Sequence, residues 1–246
     1  FHFLILLPLL SRIEKARPLP TSIAEAVLKK GACCAGLVAA LLIMNPAPAS
    51  ASEGGEPSLI THDWPHDGVF GTYDRAALQR GFQVFKEVCN GCHSLKQISY
   101  RNLADLGYNA DEIKAIAAQY EVTDGPNDEG EMFKRPALPT DRFNRPFAND
   151  KAASAANGGA LPPDLSLIVK GREGHEDYIY SLLTGYKTAP SGHEVPEGLH
   201  YNTVFVGNQI AMPAPLSAGG VTYGDGTPAT VDQMAADVTQ FLAWAG

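Results

Sequence analysis

Cys89-Asn90-Gly91-Cys92-His93 decides how the rest of this 246-residue chain is read. The run has the C-x-x-C-H form of a c-type haem attachment site. Two thiols one helical turn apart suit addition to two vinyl groups, and the next residue, His93, then offers its imidazole to the iron. C-x-x-C alone also occurs as a redox dithiol or as half of a zinc site. Zinc needs a second Cys/His pair, and the downstream histidines His175, His193 and His200 lack the spacing. A dithiol oxidoreductase expects strands alternating with helices, and few strand patterns are present. Haem attachment through Cys89 and Cys92, with His93 as a ligand, is the reading that remains.

The sixth iron position separates an electron carrier from a catalyst. A Met thioether closes the site and raises the potential. Met132 stands among charges in Glu131-Met132-Phe133-Lys134, and Met234 falls on an apolar helix face. Met212 lies in Ala211-Met212-Pro213-Ala214-Pro215, where two prolines stiffen a loop that could hold a sulfur in place. Met212 is the preferred ligand on these grounds. A Met212 that only packs on the haem edge, or a downstream His ligand, remains the alternative.

Around this motif the pattern is helical but sparse. Asp74 is a good N-cap, and Ala77, Leu78, Gly81, Phe82, Phe85 and Val88 then recur at helical steps up to the Cys89 turn. Further helices are expected over about 109–120 and 177–183, and from the capping-box pattern Thr230-Val231-Asp232-Gln233 onward, with Met234, Val238, Phe241, Leu242 and Ala245 on one face. Residues 121–163 are polar and rich in Pro, Gly and Asn, and read as irregular loop. The expected fold is mainly α, with few short helices and long loops, its core completed by a large apolar cofactor.

The N-terminal part reads differently. Lys29-Lys30, an uncharged run to Met44 and Pro46-Ala47-Pro48-Ala49-Ser50-Ala51 have the layout of a secretory signal, with cleavage expected after Ala51. Cys33 and Cys34 would leave with it. Phe1 to Leu10 is apolar but too short to cross a bilayer, and the following stretch to Lys30 is basic. The expected division is therefore 1–30 as the tail of an upstream segment, 31–51 as signal, and 52–246 as the haem domain. Residues 1–51 hold five Lys/Arg and two Asp/Glu, so 52–246 carry a net charge of −11. Such acidity argues against nucleic acid and suits a basic partner steered by charge.

Longer runs resemble the cytochrome c1 family. They include Tyr73-Asp74 through Gln79-Arg80-Gly81, Val84-Phe85-Lys86-Glu87-Val88, Tyr100-Arg101-Asn102-Leu103, Asn157-Gly158-Gly159-Ala160-Leu161-Pro162-Pro163-Asp164-Leu165-Ser166, Ser181-Leu182-Leu183-Thr184-Gly185-Tyr186, Gln209-Ile210-Ala211-Met212-Pro213 and Asp225-Gly226-Thr227-Pro228-Ala229-Thr230. The resemblance covers about residues 60–246. It implies a cytochrome c-type domain with one covalent haem c, ligated by His93 and Met212. It places Arg172 beside a haem propionate, and Asn157, Pro163 and Tyr178 around the haem pocket. It implies an electron-transfer subunit, not an enzyme on its own, of the ubiquinol–cytochrome c reductase. Electrons would arrive from a Rieske iron–sulfur protein and leave to a soluble cytochrome c, beside cytochrome b, at the periplasmic face of a bacterial inner membrane. Acidic candidates for attracting the acceptor are Asp124, Asp128, Glu129, Glu131, Glu173, Glu176 and Asp177. Residues 1–30 resemble the end of cytochrome b, as in a fused cytochrome b/c1 precursor. The family's C-terminal membrane anchor would follow Phe241-Leu242-Ala243-Trp244, beyond this chain. A free periplasmic monohaem carrier is the rival function, followed by a haem catalyst with an open site.

Overall fold

The computed structural model describes residues 58–246, so the expected signal and the upstream tail lie outside the described residues. Asp74 caps the first helix, its Oδ1 accepting from the Ala76 amide at 2.9 Å. Helix α1 then spans Arg75–Glu87, burying Ala77, Leu78, Phe82, Val84 and Phe85 on one face. It gives way at Val88 to a tight 3₁₀ turn, Cys89–Gly91. A second 3₁₀ segment, Tyr100–Leu106, and the capped helix α2, Ala110–Ala117, follow.

Residues 121–163 correct the sequence reading. They contain an antiparallel hairpin of β1, Glu121–Asp124, and β2, Phe133–Pro136, and a short helix α3, Asp150–Ala156. Arg135 braces the hairpin from β2, reaching Asp124 at 2.5 Å and Asp141 at 2.6 Å. The Arg135 guanidinium draws both carboxylates below their usual range. Asn149 caps α3 by accepting from the Ala152 amide at 3.0 Å. Helix α4 spans His175–Thr184, β3 (His200–Tyr201) pairs with β4 (Gln209–Ile210), and α5 spans Val231–Ala245. The domain is mainly helical, with short helices and long connections, as the sequence implied. Among the described residues no helix is long and apolar enough to cross a membrane.

The crossing of α1 and α5 organises the core. A Cβ on Gly81 would sit 2.1 Å from the Asp237 carbonyl oxygen, so only glycine lets the two backbones approach this closely. Beside the contact, Arg80 Nε and Nη2 donate to the two Asp237 oxygens at 2.9 Å each, and Arg80 Nη1 reaches Asp225 at 3.0 Å. The Asp237 carboxylate is buried, so this bidentate pairing offsets its desolvation. The Thr230 cap forms only one half of the expected box. Its Oγ1 accepts from the Gln233 amide, but the Gln233 side chain turns forward to Asp237 at 3.0 Å. Helix α5 is buried on more than the one expected face, since Asp237, Thr239 and Gln240 are covered as well as Met234, Val238 and Phe241.

Aromatic rings fill the layer between this crossing and the motif turn. Phe82 and Phe85 both meet Phe143 and Phe241, and Tyr100 stacks on Phe143 at 4.8 Å. Residues 58–73 strap across α4. Ser181 Oγ accepts from the Ile60 amide, and Asp177 Oδ1 accepts from the His62 amide and Trp64 Nε1.

Replacing Gly81 by Ala should cost the domain about 3 kcal/mol, because backbone and not a mobile side chain opposes the new methyl. Chemical denaturation of the variant against the parent measures this.

Candidate functional site

The site begins where α1 ends. The Cys92 and His93 amides both donate back to the Cys89 carbonyl, at 3.1 and 2.9 Å, which winds the motif into one tight turn. Cys89 and Cys92 are not joined to each other. Burial, with Cys92 adding a smaller effect, pushes the Cys89 thiol up to about 12. Among the described residues no three His, Cys, Asp or Glu side chains converge as a metal site, so the zinc reading lacks its ligands.

His93 is held by a partner seventy residues away. Its Nδ1 donates to the Pro163 carbonyl at 2.8 Å. That bond sets the tautomer and leaves the lone pair on Nε2, the arrangement a metal-ligating imidazole needs. Burial lowers the His93 pKa, with the Pro163 bond and Asp164 opposing, so the ring favours the neutral form that can ligate.

Asp164 locks the two segments together. Its Oδ2 accepts from Ser94 Oγ at 2.7 Å and from the Lys96 amide at 2.9 Å, while Oδ1 accepts from the Ser166 amide at 3.0 Å. Ser166 Oγ accepts from the Gln97 amide, and the Leu165 amide donates to the Ser94 carbonyl. Partial burial alone would raise the Asp164 pKa. The donors from Ser166, Ser94 and Lys96 outweigh it and leave the carboxyl below its usual value.

The other predicted residues stand on separate supports. Met212 follows β4, half-buried, and its carbonyl accepts from Tyr186 Oη at 3.0 Å. Burial raises the Tyr186 pKa, so this phenol remains a donor. Tyr186 is tied in turn to Asn202 by an antiparallel bridge. Asn157 ends α3, its side chain donating to the Ala153 carbonyl at 2.7 Å. Arg172 lies exposed just before α4 and makes no ion pair among the described residues, so its guanidinium is available to an anion. Tyr178 sits half-buried on α4 against the core. Thus the structure joins His93 directly to Pro163. It places Met212 on its own scaffold, and Arg172 and Tyr178 on the α4 side.

Among the acidic candidates, Asp128, Glu129, Glu131 and Glu173 are exposed and unpaired within the described residues. Asp124 is committed to Arg135, Glu176 to His66 at 3.3 Å, and Asp177 to the strap. These three therefore hold structure and offer less charge to a partner. The sequence reading assigned no role to Asp164 and Tyr186. Both stand in the family-like runs, but no local pattern marks them, because their partners are 70 and 26 residues distant.

The donor set fits a covalent haem: two unpaired thiols in one turn, an adjacent imidazole with free Nε2, and a thioether on a proline-stiffened loop. The Cytochrome C1 family model matches residues 64–246. A cytochrome b/c1 of Bradyrhizobium diazoefficiens is 47% identical over 99% of the chain, which covers 39% of that relative. A mitochondrial cytochrome c1 haem protein of Arabidopsis thaliana is 51% identical over 86% of the chain, covering 68% of that protein. A cytochrome c1 of Rhodospirillum rubrum is 48% identical over 89% of the chain, covering 85% of its length.

Asp164→Ala should destabilise the domain by about 2 kcal/mol at neutral pH, since a carboxylate with three donors is lost. The folded pKa lies below the unfolded one, so this stabilisation is present above about pH 4 and is lost as pH falls through the folded value. Denaturation at a series of pH values should show a shallower acid limb in the variant than in the parent.

Proposed function

The chain belongs to the cytochrome c1 family, and on that premise we propose that it holds one haem c and relays single electrons as the haem subunit of a ubiquinol–cytochrome c reductase. The observation that carries this reading is the His93–Pro163 bond, which presets an imidazole for iron beside two unpaired thiols. In this reading Cys89 and Cys92 would form the thioether links, and His93 Nε2 and the Met212 sulfur would hold the iron.

The protein's own groups set its environment. Pro163 orients His93 and increases its basicity through the Nδ1 bond. Asp164 keeps the Ser94–Gln97 and Pro163–Ser166 segments in register, so the imidazole does not swing during turnover. Tyr186 fixes the backbone at Met212. With His93 and Met212 both committed to the iron, the haem would supply a one-electron couple and leave no place for a substrate. Arg172, free of ion pairs among the described residues, would neutralise a propionate. Asn157 and Tyr178 line the pocket.

Electrons enter from a Rieske iron–sulfur protein and leave to a soluble cytochrome c, with cytochrome b as the resident neighbour at the periplasmic face of the membrane. The exposed acids Asp128, Glu129 and Glu131 at the β1–β2 tip, with Glu173, steer a basic acceptor. The near-complete alignment of the chain with a relative named cytochrome b/c1 supports the fused-precursor reading, with residues 1–30 as the upstream tail and 31–51 as an internal signal. The free monohaem carrier is the rival. Copurification of cytochrome b and a Rieske protein with the chain separates the two.

The visible spectrum of purified holo-protein tests the ligand set. The ferric parent should show the weak long-wavelength band of a thioether–iron bond. Met212→Leu should abolish it and lower the potential, while the covalent haem is retained. A parent without the band, or a variant that keeps it, contradicts the assignment. Steering by the acidic tip predicts that cytochrome c reduction falls steeply as ionic strength rises. Stopped-flow rates across a salt series measure this, and rates indifferent to salt contradict it.

A further inference from the structure

Asn202, between α4 and Met212 in the chain, is completely buried, at 0% exposure. Every polar group on it is engaged. Its side-chain Nδ2 donates to the Leu182 carbonyl in the last turn of α4 at 2.9 Å. Its Oδ1 accepts from the Val204 amide at 2.9 Å and from the Phe205 amide at 3.2 Å. On the backbone, the Asn202 amide donates to the Asn208 carbonyl at 3.0 Å, and the Asn202 carbonyl accepts from Asn208 Nδ2 at 3.2 Å. The three side-chain bonds need a carboxamide. A carboxylate lacks the donor, and an aliphatic group lacks donor and acceptor alike. A buried group stripped of its partner costs more than the bond itself is worth, so the set holds one geometry.

The surroundings are shaped to this residue. A Cβ on Gly185 would lie 3.1 Å from Asn202 Oδ1 and 2.7 Å from the Ser181 carbonyl, so the chain leaves α4 through a residue without one. Thr203 donates to the Gly185 carbonyl through its amide at 3.0 Å and its hydroxyl at 3.2 Å. Asn208 takes a φ of 58°, a left-handed turn that asparagine tolerates, and the chain passes from it directly into β4. The network then reaches Met212 by two routes. One is β4 itself, which leads into Ala211-Met212. The other is Tyr186, bridged to Asn202 through the backbone and donating its hydroxyl to the Met212 carbonyl. Helix α4, on the far side of Asn202, packs on α5 and belongs to the core. We propose that Asn202 is a positioning residue for the axial thioether: it pins the loop that carries Met212 to α4, and so holds the sulfur against exchange for other ligands. This role rests on the ligand assignment made above.

The test uses the holo-protein, with added imidazole as the competing ligand. Asn202→Asp keeps the shape and the two acceptor bonds but turns a carboxylate oxygen toward the Leu182 carbonyl. Imidazole should displace the thioether at about ten-fold lower concentration in this variant, the long-wavelength ferric band should weaken, and the potential should fall, with the covalent haem retained. Asn208→Gly is milder, because glycine keeps the left-handed backbone and removes the bond to the Asn202 carbonyl. It should shift imidazole affinity in the same direction by about three-fold, and it decides alone if Asn202→Asp yields no haem-bearing protein. Asn109→Ala, which strips the cap from α2, is the control, and should lower the melting temperature without changing imidazole affinity. Variants at 202 and 208 that keep the parental imidazole affinity and band, or a control that shifts as they do, overturn the role while leaving the ligand assignment standing. A parent without the band removes the Met212 assignment, and this role with it.

Discussion

The hydrogen bond from His93 Nδ1 to the Pro163 carbonyl joins the end of α1 to a loop seventy residues further on. The orientation of the proximal imidazole depends on it. A histidine after a C-x-x-C turn is free to rotate unless its second nitrogen is held, and a rotating imidazole gives an iron neither fixed geometry nor fixed potential. Here the acceptor is a proline carbonyl, and the residue after it, Asp164, anchors the same loop to the motif's own strand of chain through Ser94 and Lys96. The ring is therefore oriented by backbone and braced by a carboxylate with three donors.

Why the motif turn stays put is a question about α1. Gly81 lets α1 press against α5, and Arg80 ties the crossing through the buried Asp237. The rings of Phe82, Phe85, Phe143 and Phe241 then fill the space up to the turn. Since α5 is buried on most of its surface, movement of α1 relative to it would disturb the core broadly. Rigidity at the motif turn is thus inherited from one close helix crossing.

The sequence disclosed those parts whose causes are local. Asp74 announced its helix because a cap acts within three residues, and the C-x-x-C-H run pointed to its chemistry once the zinc and dithiol readings were set aside. The β1–β2 hairpin was hidden, because its strands are four residues each, mostly exposed, and held by Arg135 against Asp124 and Asp141. Helix α3 was hidden by surrounding Pro and Asn, although Asn149 is a sound cap. Gln233 misled, since the buried Asp237 one turn onward competes better for its amide than the Thr230 backbone does. Glu176 and Asp177 read as surface charge in the sequence, but the 58–73 strap occupies both. Asp164 and Tyr186 act across long sequence separations, which no periodicity records.

The structure supplies an imidazole oriented by the Pro163 carbonyl and, on a separate support, a Met212 backbone held by Tyr186. The most direct measurement is a crystal structure of the holo-protein produced with export and haem attachment. It should place the iron between His93 Nε2 and the Met212 sulfur, with the Nδ1 bond to Pro163 intact. An iron bound by His93 alone, or one with a different sixth ligand and the Met212 sulfur turned away, would contradict the account.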